Sequence, residues 1–153
     1  MKNSDLTPTI EQVRAISLSD AIRQLVAEAC AEGFDWIGNL EAAWAERPFD
    51  RPGEGLFTAW IGDRLVGVAA ITEDHYLRDG QTGRLRFVYV SPASRGCGVA
   101  EALTQRCRAQ AGRRWGAIRL HTNNPVAAQL YAKHGFSGVP IADAEATHAK
   151  LVS

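Results

Sequence analysis

The chain is poor in the residues that would commit it to a disulfide scaffold, a metal centre or a membrane. Of 153 residues only three are cysteine, Cys30, Cys97 and Cys107, an odd number with no CxxC pair. That count excludes the disulfide framework of small secreted domains and reads as free thiols in a reducing cytoplasm. The four histidines, His75, His121, His134 and His148, stand singly, so no metal is expected. No apolar run is long enough to cross a bilayer, and residues 1–8 lack an apolar signal core, so no membrane partner is expected. A charge surplus is missing too: seventeen Lys and Arg balance seventeen Asp and Glu. The footprint of non-specific nucleic-acid binding is therefore absent. With no repeat, linker or low-complexity tract, residues 1–153 read as one domain.

What is present is the patterning of a mixed α/β chain. Residues 9–16 alternate weakly and suit an edge strand. Ile22, Leu25, Val26, Ala29 and Cys30 recur at helical spacing, after Ser19-Asp20 and before Gly33. Trp36, Ile37, Leu40 and Trp44 mark a second helix. Arg47-Pro48 should end it, since a residue before proline is driven out of the helical region. Beyond a polar loop at 49–55, strand-like runs at 56–61 and 65–72 meet at Gly62-Asp63, a hairpin signal. A loop over 73–83 leads to a strand at 85–90. The helix opening at Val99 turns Leu103 and Cys107 inward and sets Arg106, Arg108, Arg113 and Arg114 toward its negative end. A strand at 117–121 follows. The next helix is specified locally, with Asn124 as N-cap, Pro125 at the first position and Gly135 as a left-handed stop. Phe136 then falls where it can fold back onto Leu130 or Tyr131. Short strands near 137–141 and 148–152 complete the pattern.

The most informative stretch is the strand Leu85-Arg86-Phe87-Val88-Tyr89-Val90, the turn from Ser91 to Gly98, and the helix that begins at once. Such a turn aims several N–H groups and the positive end of a helix at one point, an arrangement suited to phosphate. Two familiar phosphate loops fail on these residues. A P-loop needs a lysine after its glycines, and none follows. A dinucleotide fingerprint needs a third glycine, where Glu101 stands, and an acid after the next strand, where His121 and Thr122 stand. Arg95-x-x-Gly98-x-Ala100 alone is also compatible with a plain strand-to-helix turn.

One helix and one strand downstream lies Asn124-x-x-Ala127-x-x-Leu130-Tyr131-x-x-x-Gly135-Phe136. In this order and spacing the two segments resemble the GNAT family of N-acetyltransferases, closely from about Arg84 to Phe136 and loosely elsewhere. The resemblance implies an α/β (α+β) fold: a mixed, mostly antiparallel sheet flanked by helices, with a splayed strand pair at the cofactor site. It implies acetyl-coenzyme A (acetyl-CoA) as co-substrate and direct acetyl transfer to a primary amine. On the same basis Arg95, Gly96, Cys97, Gly98, Val99 and Ala100 would wrap the pyrophosphate, mainly through backbone N–H groups. Val88, Tyr89 and Val90 would line the pantetheine arm, with Val88 and Val90 pairing by main chain and the Val90 amide facing the thioester oxygen. Asn124 would contact the same arm, or serve only as a cap. Tyr131 would give a proton to the departing thiolate, or pack as a core tyrosine. Cys97 stands where the family often has a basic or polar residue; it reads as a small loop residue rather than a reactive thiol.

Direct attack of a neutral amine on a thioester needs positioning, an oxyanion donor and a proton for the thiolate, but no enzyme nucleophile. The lack of a Cys–His pairing agrees with that. The general base stays open among Glu54, Glu73, Asp74 and His75, each also readable as a solvated loop residue. Trp36, Trp44, Trp60 and Tyr76 could line the acceptor pocket or pack in the core. Two rivals remain: a non-catalytic acyl-CoA sensing domain, which would not need Tyr131, and an acyltransferase of aminoacyl-tRNA, which neutral charge disfavours. A homodimer is compatible with the sequence.

Overall fold

The computed structural model of the chain describes residues 7–138 and 146–151. Strand β1 (Thr9–Gln12) precedes helix α1 (Asp20–Ala31), whose first turn is capped by Ser19 Oγ accepting from the Ile22 amide at 3.3 Å. A 3₁₀ turn (Asp35–Asn39) leads into α2 (Leu40–Glu46). Strands β2 (Gly55–Ile61), β3 (Arg64–Glu73) and β4 (Thr82–Val90) form an antiparallel meander, the first two joined at Gly62-Asp63 as expected. Helix α3 (Val99–Ala111), β5 (Ala117–Leu120), α4 (Pro125–Lys133), β6 (Ser137–Gly138) and β7 (His148–Leu151) follow.

The seven strands make one sheet in the order β1-β2-β3-β4-β5-β7-β6. Every neighbouring pair is antiparallel except β4 and β5, which run parallel. Apolar side chains alternate between its faces. Phe57, Ala69, Ile71, Leu85 and Val90 pack with Leu103 and Cys107 of α3 and Tyr131 of α4. Leu56, Val68, Ala70, Phe87 and Tyr89 pack on the other face, with α1 and α2.

Departures from the expected elements have local causes. The edge strand stops at Gln12, with one further bond from the Val13 amide to the Leu56 carbonyl. The second helix is split because Gly38 and Asn39, both weak helix formers, interrupt it. β4 begins at Thr82 rather than Leu85, since residues 82–84 pair with β5, and Gly83 and Arg84 with β3 as well. β5 ends at Leu120, one residue short. Of the expected final strands, positions 139–141 and Val152 lie outside the described residues.

Candidate active site

The site begins where two strands part. The parallel ladder between β4 and β5 lasts three pairs, Thr82↔Ala117, Gly83↔Ile118 and Arg84↔Arg119, and β4 then continues with no partner on that edge among the described residues. Two arginines side by side on adjacent strands would repel. Asp74, fully buried at this vertex, accepts from Arg119 Nε at 2.9 Å and from Arg84 at 3.4 Å. Its Oδ1 also accepts from the amides of Tyr76 and Leu77, each at 3.0 Å, and from Arg119 Nη2 at 3.4 Å. Burial pushes the Asp74 carboxyl up, but Arg119 and these amides outweigh burial and hold it below the usual range.

Just beyond the vertex β4 carries an extra residue. The register steps from Ala70↔Arg86 to Val68↔Tyr89, leaving Phe87 and Val88 opposite Ala69, and Phe87 takes φ +55°. A left-handed aromatic residue is strained, by roughly 1–3 kcal/mol. Burial of its ring, stacked against Phe49 at 6.4 Å between centroids, helps to hold it. The bulge also resets the side-chain phase. Past it, Val88 and Val90 face α3 while Tyr89 faces α1. The Ser91 amide bonds the Val66 carbonyl at 2.8 Å, so by ladder alternation the main-chain groups of Val90 turn from β3 toward the gap.

Strand β4 runs through a 3₁₀ turn (Pro92–Ser94) into Gly96 (φ +79°) and Gly98 (φ +81°), both left-handed, and α3 starts at Val99. A Cβ at either glycine would meet nothing within 4 Å, so the turn presents an open concave face. No side chain caps α3, which leaves its first amides available to an anion. Val99 is buried, and Cys97 and Ala100 are half-buried, packed against the α3-side core. The Arg95 side chain turns the other way. Its guanidinium grips Glu32 of α1 at 2.7 and 3.0 Å, and its Nε donates to the Val90 carbonyl at 3.0 Å. The Tyr89 hydroxyl bonds the same Glu32 and, at 3.0 Å, Glu28.

Helix α4 is fixed at both ends by the residues its sequence nominates. Asn124 Oδ1 accepts from the amides of Val126 (2.9 Å) and Ala127 (3.4 Å). At the other end Gly135 (φ +89°) donates to Ala132 and Phe136 donates to Tyr131, at 3.0 and 2.9 Å. That is a Schellman stop, and the accompanying apolar contact is Phe136 edge-on to Tyr131, at 5.8 Å. Tyr131 is buried in one cluster with Val90 and Leu120. Burial pushes its phenol pKa up, with the nearby Cys107 thiol adding to the effect. The hydroxyl makes no hydrogen bond among the described residues.

A sheet split beside an uncapped glycine turn, with a phenol held in the same cluster, can be set against known proteins. The sequence matches the acetyltransferase (GNAT) family over residues 20–136. The chain belongs to the GNAT family. Its fold is that of solved GNAT-like structures. One, described as an acetyltransferase from Exiguobacterium sp. 255-15, is 25% identical, covers 95% of this chain and 93% of its own, and has a TM-score of 0.83. An N-acetyltransferase from Staphylococcus aureus Mu50 is 18% identical over 96% of this chain and 99% of its own, with a TM-score of 0.76. An acetyltransferase from Streptococcus agalactiae 2603 is 17% identical over 94% and 98%, with a TM-score of 0.75. The latter two speak for the fold alone. No relative is found among curated proteins. GNAT proteins are acyltransferases that use an acyl-CoA as co-substrate.

Within this GNAT domain the four candidate bases separate. Glu54 is not a solvated loop residue: it is buried, paired in parallel with Arg47 at 2.7 and 2.9 Å, and accepts from the Glu73 amide at 3.0 Å. Burial raises its pKa, but Arg47 and that amide more than offset it and hold the carboxyl low. Asp74 is likewise no solvated residue but the vertex ion pair. Glu73 pairs with Arg114 at 2.7 Å. His75 alone is exposed and outside any ion pair, its ring 4.1 Å from that of Tyr76. Partial burial lowers its pKa, and the charges of Arg86 and Arg84 add to this.

The aromatic candidates divide as well. Trp44 is core, its Nε1 donating to the Ile16 carbonyl at 2.9 Å. Trp60 bonds Thr58 and lines an open depression of about 600 Å³ between α1 and the β2–β3 hairpin. Trp36 and Tyr76 stay exposed, at 50% and 53%. Sequence reasoning missed the bulge and both buried ion pairs. Asp74 meets Arg119 from 45 residues away, so no local signal could have announced the contact.

Proposed function

We propose that this GNAT protein transfers an acetyl group from acetyl-CoA directly to a primary amine. The observation that carries the reading is the free edge of β4 running straight into the uncapped, open-faced turn of α3. The amides from Gly96 to Ala100 would bind the pyrophosphate, and the glycines keep that surface clear of side chains. Val88 and Val90 would pair their main chains with the pantetheine arm, as an added strand does. Pairing at the Val90 carbonyl requires Arg95 Nε to let go, a change its pair with Glu32 can survive. Asn124 spends its oxygen on the helix cap and keeps its Nδ2 donors for the same arm.

The chemistry then needs three further groups. The amine nitrogen forms a bond to the acetyl carbon as the C–S bond breaks. The Val90 amide stabilises the charge that develops on the thioester oxygen. Tyr131 gives its proton to the departing thiolate; its raised pKa keeps the phenol protonated across the working range. His75 takes the amine proton, directly or through water. Of the four candidates it is the one not bound in an ion pair, and its lowered pKa keeps it neutral near pH 7. The test is release of free thiol from acetyl-CoA across a panel of amines. Turnover with at least one amine is expected; coenzyme A binding without turnover of any amine would favour a sensing domain instead.

A further inference from the structure

Among the described residues, one charged side chain on β4 meets no carboxylate. Arg47, Arg84, Arg95, Arg114 and Arg119 each meet a carboxylate. Arg86 is half-buried yet has no ion pair or hydrogen bond among the described residues. Its guanidinium lies 4.6 Å from the centre of the Phe87 ring and 6.0 Å from that of Phe49. Two rings thus flank the guanidinium while its N–H groups make no hydrogen bond among the described residues. Glu54, the carboxylate whose charge bears on it, is already committed to Arg47. Partly burying a cation without a counter-charge costs free energy, and an anion supplied from outside would offset it.

Its position says which molecule brings the anion. Phe87 and Phe49 belong to the cluster beneath α1 and α2, so Arg86 sits on that face of the sheet. The phosphate-suited turn and α3 serve the opposite face. A thioester held in the gap between β4 and β5 would therefore meet its acceptor from the Arg86 side. Arg86 also lies two residues past the last β4–β5 rung, beside the point where the gap opens. The exposed His75 and Tyr76 stand next to it: the charge of Arg86 bears on His75, and the Tyr76 ring lies under neighbouring Arg84 at 4.7 Å.

We propose that Arg86 is the specificity-determining anchor for a carboxylate carried by the acceptor amine. The substrate class is then amino acids or other amino-carboxylates. One guanidinium fork matches one carboxylate through two parallel N–H···O bonds. The inference rests on the transferase reading given above and narrows its acceptor.

The experiment measures thiol release from acetyl-CoA with the twenty common amino acids and their carboxamides, for the wild type and Arg86→Gln. Coenzyme A affinity is followed by calorimetry alongside. For an accepted amino acid, kcat/KM should exceed that of its amide by about tenfold to a hundredfold, mainly through KM, as a charge-assisted bidentate pair implies. Arg86→Gln should bring the acid down to the level of the amide in that same variant, so that the two are used alike, while leaving coenzyme A affinity unchanged. Arg86→Lys should restore part of the preference. Equal use of acid and amide by the wild type, or a preference that survives Arg86→Gln, overturns the inference. So does a protein that acetylates only amines without a carboxylate, though that result keeps the transferase reading. Absence of both coenzyme A binding and turnover removes the transferase reading and this inference with it.

Discussion

Replacing Tyr131 by phenylalanine separates chemistry from folding more cleanly than any other change in this site. The ring would keep its place: it is buried in the α3-side cluster, edge-on to Phe136, and anchored by the Schellman stop at Gly135. The hydroxyl makes no hydrogen bond among the described residues, so its loss strands no buried partner. Stability should therefore change by no more than about 0.5–1 kcal/mol, read as a small Tm shift. Coenzyme A affinity should be nearly unchanged, since the main chain of β4 and of the glycine turn supplies the binding groups. Turnover should fall by about tenfold to a thousandfold, the range for a lost general acid, or roughly 1.4–4 kcal/mol on the barrier. Thermal melts, calorimetry with coenzyme A and thiol-release kinetics measure the three quantities on one preparation. Turnover within twofold of wild type would remove Tyr131 from its role. A large drop in Tm would mean that the hydroxyl holds the fold rather than the proton.

Three further outcomes are expected. Gly98→Val forces a β-branched residue to φ +81° and fills the open face of the turn, so coenzyme A binding should vanish from calorimetry while stability falls by about 1–3 kcal/mol; tight binding would disprove the phosphate cradle. In kcat–pH profiles the wild type should show an acid limb below pH 6.5, the ordinary histidine value from which His75 is lowered; His75→Gln should abolish it, and an unaltered limb would point to another base. Glu54 and Asp74 have pKa values held below their ordinary 4.5 and 3.8, so the folded state binds fewer protons than the unfolded chain as these groups titrate. The stability they contribute is complete above about pH 4.5 and is lost as pH falls through their folded values, so Tm should drop steadily below pH 4.5, and less steeply in Asp74→Asn.

What could be read in advance was what is encoded locally. Asn124, Pro125, Gly135 and Phe136 specify α4 within a dozen residues, and each does what its neighbours predict. The glycine turn between β4 and α3 was equally legible, because strand, glycines and helix follow one another directly in the sequence; the left-handed angles of Gly96 and Gly98 come from the structure. The start of β4 was not, since Thr82–Arg84 owe their pairing to β5, more than thirty residues on. Glu54 and Asp74 look like any loop carboxylates until Arg47 and Arg119 arrive. The turning of Arg95 onto Glu32 depends on α1 lying beside β4, a tertiary fact. The bulge is subtler still: Phe87 sits in a run of good strand formers, and nothing in Arg86-Phe87-Val88 announces the extra residue.

A crystal structure of the protein with acetyl-CoA bound tests the central claim most directly. The account predicts the diphosphate on the amides from Gly96 to Ala100, the pantetheine arm along the free edge of β4 in place of the Arg95–Val90 contact, and the sulfur within hydrogen-bonding reach of the Tyr131 hydroxyl. A ligand bound elsewhere, or a Tyr131 hydroxyl directed away from the sulfur, would contradict it.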